Sequence, residues 1–366
     1  MSLQHGQHGQ HGQHGQHGQH GQGAGGSDGS ADDALMAAAL MRTRDAIVGT
    51  EIITPQGTED AALEAPERLR RMEPQFRRAV LMSELLEDIA FGIEGYPQKP
   101  ATARAVTVLR RGDASADHIP LARITRPGIA DFSHAAPLVA AYAELRADRL
   151  AEILVQKERL IPFVSAILPV TPFRAPAVVE MLETGLDIVT PVVMRAKIAL
   201  GCPRPSQFSP LVQPMIAEPG HPTLPSGHAT QMFTMAAMLS QLTGAGDPLV
   251  GDSQLYRLAC RIAINRTVAG VHFPADSAAG AVLGIQLGRY LMARGQGGTV
   301  GSASFDGTAF GSANQPRDFH HGVLDQMARG EDPSTAFPGD AAAVRPAPLW
   351  QSLVGRAAQE WQTRWS

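Results

Sequence analysis

Between Pro137 and Ala293 the chain carries five helix-forming apolar runs in succession: "PLVAAYAELRADRLAEILVQKERL", "APAVVEMLETGLDIVTPVVMRAKIAL", "GHATQMFTMAAMLSQL", "SQLYRLACRIAINRTVAG" and "DSAAGAVLGIQLGRYLMA". Their apolar residues recur at helical rather than alternating spacing, and strand signals are scarce, so the sequence predicts a mainly α fold in which helices bury one another. Pro191, inside the second run, predicts a kink or a restart.

The flanks read differently. Residues 1–30 are a His-Gly-Gln repeat with a Gly/Ser linker, read as an appended tag without a fixed fold, and six of the 13 histidines lie there. Residues 31–136 are expected to supply N-terminal helices and an irregular connection packed on the core. One helix is placed over 32–49, and another follows Pro74 with Phe76, Val80, Leu85 and Ile89 on one face. Residues 95–137 read as irregular despite short β-branched runs such as "AVTVL". Residues 137–294 form the expected core, and 295–366 a loop-rich extension with a short helix around "HHGVLDQMARG". That extension ends in a helix bearing Trp350, Trp361 and Trp365, which docks on the body or on a second subunit, so a homodimer or higher homo-oligomer is a possible assembly.

Bulk properties exclude several functions. A net charge of -4 gives no footprint for nucleic acid or an anionic membrane. Two cysteines, Cys202 and Cys260, build no disulfide framework. No stretch reaches the roughly 18–20 uninterrupted apolar residues of a bilayer span. The expectation is a soluble protein, cytoplasmic or periplasmic. Cys202, sitting between two cations, reads as a small packing residue rather than a nucleophile.

Three short motifs carry chemistry. "KIALGCPRP" places Lys197 and Arg204 seven residues apart near a helix end. "HPTLPSGHAT" supplies Pro225 for a first helical turn, the Ser226 hydroxyl, Gly227 for close backbone approach, and free amides that suit an oxyanion. His228 lies in that first turn, where the helix dipole favours a neutral imidazole able to act as a base. "NRTVAGVHFPADSAAG" adds Arg266, His272 and, four residues on, Asp276, a carboxylate spaced to fix the His272 tautomer. An oriented neutral histidine is a metal ligand or a nucleophile. Three cations, a helix-start amide cluster and two histidines together are chemistry for a tetrahedral oxyanion such as phosphate or vanadate. His118, His134, His320 and His321 lie outside the motifs.

In this order, "K-x6-RP", "PSGH" and "R-x5-H-x3-D" resemble the signature shared by type 2 phosphatidic acid phosphatases, bacterial acid phosphatases and vanadium-dependent haloperoxidases. The resemblance covers roughly residues 197–290, with one departure: the third motif begins Asn265-Arg266 where Ser-Arg is usual. It implies a helical bundle in which the motifs meet. Lys197, Arg204, Ser226, Gly227 and Arg266 would hold the oxyanion's oxygens, and Asp276 would stand behind His272. His272 would be either the vanadium ligand or the phosphate-accepting nucleophile, and His228 the acid/base.

Within that group, "HPTLPSGHA" and "GVHFP" are more similar to the haloperoxidase forms, and His221 falls where bromide-oxidising members carry a histidine. The resemblance thus implies a vanadate cofactor, with phosphate able to occupy the same site. It further implies hydrogen peroxide, bromide or iodide and a small organic molecule as substrates, Lys197 polarising the oxidant, and His221 on the halide side. The alternative it implies is a soluble acid phosphatase acting through a phosphohistidine. A non-catalytic phosphate binder is the third reading, and intact histidines with an intact Asp276 argue against it.

Overall fold

In a computed structural model of the chain, residues 31–47, 62–95, 103–113, 117–245, 253–311, 316–337, 339 and 341–363 are described. The tag falls outside them. The chain runs α1 (Ala31–Ile47), α2 (Ala65–Arg70), α3 (Pro74–Leu86), β1 (Ile89–Glu94), β2 (Ala105–Arg111), β3 (His118–Thr125), α4 (Ile129–Ala141), α5 (Arg146–Gln156) and α6 (Ile161–Ser165). It continues through α7 (Pro176–Leu200), α8 (Gly227–Leu242), α9 (Gln254–Val268), α10 (Pro274–Gln296), β4 (Thr299–Val300), β5 (Ala303–Asp306) and α11 (Gly307–Phe310). The last elements are α12 (His321–Arg329), β6 (Thr335–Ala336), β7 (Ala342–Ala343) and α13 (Pro348–Gln362).

The mainly α expectation holds. The bundle is built on α7, α8, α9 and α10, and no helix among the described residues is long and apolar enough to cross a membrane. Pro191 neither ends nor restarts α7, which is continuous for 25 residues between Pro176 in its first turn and the left-handed cap Gly201 (φ 56°). The 137–160 run, by contrast, is three pieces: α4 already begins at Ile129, a 3-10 turn covers Tyr142–Leu145, and α5 starts at Arg146.

The seam between α8 and α10 is unusually close, and glycine makes it so. Gly280, Gly284 and Gly288 recur every four residues on α10, so they line up along one face. A Cβ on Gly284 would lie 2.4 Å from the carbonyl oxygen of Thr230, and one on Gly288 would lie 2.7 Å from that of Thr234. The Thr234 hydroxyl bridges the seam, donating to the Gly284 carbonyl at 3.1 Å. Met232, Met235 and Met238 are buried along α8 together with Phe233 and Leu239.

Two sequence expectations are corrected. The second helix stops at Leu86; Phe76 is exposed, Leu81 and Leu85 form the buried face, and Ile89 opens a strand. The described residues of 95–137 include β2, β3 and the start of α4 rather than an irregular connection, and β1, β2 and β3 form an antiparallel meander, extended by β5 parallel to β3 and then by β6. Period-two burial is clear in β2, where Val106, Val108 and Arg110 are buried. Two polar side chains tie the sheet to its neighbours, Gln286 to the bundle and Arg110 to the two-stranded sheet of β4 and β7. Gln286 of α10 donates to the carbonyls of Leu121 (3.2 Å) and Gly301 (2.5 Å), and Arg110 donates to those of Val300, Ala342 and Ala343 at 2.8–2.9 Å.

Of the C-terminal expectations, α12 falls where predicted and α13 docks on the body, against α7 and α10. Trp350 is fully buried and its indole N–H donates to the Leu291 carbonyl at 2.7 Å; Trp365 lies outside the described residues.

A methyl group at the tightest point of the seam should force α8 and α10 apart. Gly284→Ala is expected to destabilise the protein by about 1–3 kcal/mol or more, read as a lower urea midpoint, although alanine is the better helix former. A neutral or stabilising result would show that the seam is looser than drawn.

Candidate active site

The three motifs converge at one end of the bundle. Lys197 sits in the last turn of α7, His228 in the first turn of α8, and Arg266 in the last turn of α9. His272 and Asp276 flank the start of α10. Lys197, His221, Gly227, His228, Arg266 and His272 line a single cavity of about 40 Å3, together with the apolar side chains of Met194, Ile216 and Val271 and the exposed Lys157.

His272 has a neighbour at each ring nitrogen. Its Nδ1 lies 2.9 Å from Asp276 Oδ2, and the same oxygen accepts the Phe273 amide at 2.8 Å. A carboxylate only accepts, so Nδ1 carries the proton and Nε2 keeps its lone pair. Nε2 lies 3.3 Å from Arg204 Nη1. Thr223 completes the arrangement: its hydroxyl donates to Asp276 Oδ2 at 2.5 Å and stands 3.1 Å from His272 Nδ1. Thr223 lies inside the "HPTLPSGHAT" stretch, yet nothing local marked it.

The cations are placed unequally. Arg204 lies behind the cavity wall, with donors committed to the carbonyls of His221 and Val271 and to His221 Nδ1 at 3.0 Å. Its contacts with the cavity lining run through His221 and His272. Lys197 is buried and donates to the carbonyls of Pro222 (2.9 Å) and Thr223 (2.7 Å), leaving one ammonium proton for the cavity. Arg266 is buried, and its Nε and Nη1 have no hydrogen-bond partner among the described residues. Ser226 is also buried behind the wall; its hydroxyl oxygen caps α8 by accepting the Ala229 amide, and its own amide donates to the Asp276 carbonyl at 2.9 Å.

His228 Nε2 lies 3.1 Å from the backbone carbonyl of Gln156. That oxygen can only accept, so Nε2 carries the proton and Nδ1 is the basic nitrogen. Gln156 had no sequence signal, because α5 lies 110 positions before Arg266. The departure at Asn265 also finds its place here: Asn265 Nδ2 donates to Gln156 Oε1 and to Glu152 Oε2, both at 3.0 Å. Cys202 is buried and its thiol is pushed up to about 12 by burial, as suits a packing residue. His320 is exposed and caps α12.

The electrostatics follow from burial among cations. Desolvation, then Arg204 and Lys197, hold His272 well below the ordinary imidazole range, and desolvation with Lys197 lowers His221 to about 4. Both rings are therefore neutral at pH 7. Burial raises the Asp276 carboxyl to about 6, against the pull of Thr223, the Phe273 amide and the cations. Desolvation pulls Lys197 well below its ordinary range, and Arg266 to about 10. A pocket that strains its own cations in this way is one in which an anion would be strongly held.

Residues 179–296, spanning α7 almost from its start to the end of α10, match the family model of the PAP2 superfamily. Every motif residue from Lys197 to Asp276 falls inside the matched segment. No curated protein matches the chain.

Two outcomes are expected. Thr223→Val leaves Asp276 one donor short and should cost roughly 1–3 kcal/mol in denaturant unfolding, with Thr223→Ser close to wild type. The second concerns pH. The unfolded chain's His221 titrates near 6.5 and the folded one near 4, so between these values the unfolded state binds more protons and stability falls on acidification. Asp276, raised to about 6, offsets part of that fall at the acid end. The Tm of His221→Phe should therefore decline less steeply than wild type between pH 6.5 and 4; equal slopes would mean that His221 titrates alike in both states.

Proposed function

We propose that this chain is a vanadate-dependent haloperoxidase that oxidises bromide or iodide with hydrogen peroxide to a hypohalous acid equivalent, which halogenates a small organic molecule. The observation that supports this most is the cavity itself. At about 40 Å3 it has room for an inorganic tetrahedral oxyanion or a few waters, among Lys197, Arg266 and His272.

The residues suit vanadate. Two orphaned guanidinium nitrogens of Arg266, the remaining Lys197 proton and the amide of Gly227 are donors for its oxygens, and Ser226 and Arg204 stand just behind them. His272 Nε2, unprotonated and oriented through Nδ1, is the nitrogen that would hold it. Bound there, vanadate supplies a Lewis-acidic centre that activates peroxide toward two-electron oxidation of a halide.

The chain's own residues do the rest. His228, protonated at Nε2 against the Gln156 carbonyl, offers Nδ1 to take the proton that hydrogen peroxide must lose. Lys197 and Arg266 stabilise negative charge on the oxygens in a desolvated site, where such interactions are strongest. His221, neutral and tied to Arg204, lines the cavity as the halide-side residue. Met194, Ile216 and Val271 give the cavity an apolar stretch of wall.

Assays on one preparation test this. With orthovanadate and peroxide, wild type should brominate a phenolic dye, and His272→Ala should lose essentially all of that activity. Turnover of p-nitrophenyl phosphate, inhibited by vanadate and without bromination, would replace the proposal with the phosphatase reading. Tight phosphate binding without either activity would leave a binder. His221→Phe should raise the KM for bromide severalfold; unchanged bromide kinetics would make His221 a bystander.

A further inference from the structure

The wall behind Arg266 is made by α5, which none of the sequence motifs includes. Gln156, the last residue of that helix, is 1% exposed, and it touches two functional groups at once. Its side-chain Oε1 accepts from Arg266 Nη2 at 3.2 Å, and its backbone carbonyl faces His228 Nε2. The orientation of the amide follows from chemistry: both Arg266 and Asn265 present donors to it, so the oxygen must face them. Its Nε2 is consequently turned away and left buried with no hydrogen-bond partner among the described residues, an expense that a simple packing residue has no reason to carry.

The carboxylate nearest this wall is kept from Arg266. Glu152 is held by Arg261 through two hydrogen bonds (2.5 and 2.9 Å) and by the Asn265 amide. Two neutral amides, Asn265 and Gln156, thus stand between Glu152 and the guanidinium. Arg266 is oriented by the Ile153 carbonyl (3.3 Å) and the Gln156 amide oxygen, both uncharged. A carboxylate in either place would form a buried ion pair with Arg266 and compete with any bound oxyanion for the same charge.

We infer that Gln156 is a positioning residue whose neutrality matters: it aims Arg266 at the cavity without neutralising it, and fixes the proton of His228 on Nε2 through its backbone. This rests on reading the cavity as an oxyanion site. Glu and Gln have nearly the same shape and both offer an acceptor, so they separate charge from packing.

The test measures binding of inorganic phosphate, and separately of orthovanadate, by titration calorimetry on the full chain, with Tm recorded for each variant. Gln156→Glu should keep a Tm near wild type while losing at least tenfold in affinity for both anions at pH 8. Gln156→Met, which retains the bulk but drops the acceptor, should also weaken binding and provides the measurement if Gln156→Glu does not fold. Wild-type affinity in a folded Gln156→Glu overturns the inference, as does loss of the fold in both variants, which would make Gln156 a packing residue. Failure of wild type to bind either anion would instead defeat the reading of the cavity.

Discussion

The approach of α8 to α10 is the constraint on which the site depends. Small residues at Gly280, Gly284 and Gly288 let two helix backbones come nearly into contact, and at the end of that seam the Ser226 amide donates to the Asp276 carbonyl. The start of α8, with Gly227 and His228, is thereby locked to the start of α10, with His272 and Asp276. A seam wider by one methyl would separate the two helix starts and undo the cavity before any side chain that lines it was altered.

The second organising fact is an excess of buried positive charge. Lys197, Arg204 and Arg266 are all removed from water, and the carboxylate that shares their surroundings, Asp276, is taken up by His272, Thr223 and the Phe273 amide. Burying cations without counterions is costly, so a stability-driven fold would replace them. Here they are supported by carbonyl oxygens and amides instead: Pro222 and Thr223 for Lys197, His221 and Val271 for Arg204, Ile153 and Gln156 for Arg266. Neutral support orients a cation and leaves its charge for a ligand, which is the electrostatic preorganisation that oxyanion chemistry needs.

The motif residues were legible because their chemistry is local. A proline, serine and glycine ahead of a helix announce an anion-binding start, and a carboxylate four residues after a histidine announces an oriented imidazole; both geometries hold within one helical turn. What stayed hidden was supplied from a distance. Thr223 reads as an ordinary loop threonine until the fold brings it to Asp276, and Gln156 and Glu152 lie on a helix whose sequence shows only an amphipathic pattern. The sheet was missed for a related reason. Its strands are short and β1 lacks clean alternation, so pairing between β3 and the distant β5 completes what no single segment signals.

Sequence alone thus determined the helical class of the core, the positions of its main helices, and the motif residues that converge at one end of it, because periodicity and short-range spacing encode those directly. Tertiary structure decided which cations face the cavity and which stand behind it. It also decided which nitrogen of His228 and of His272 carries the proton, and the size of the cavity. Those depend on carbonyls and side chains brought together from α5, α7, α9 and the loop before α8, and no spacing within one segment can specify such meetings.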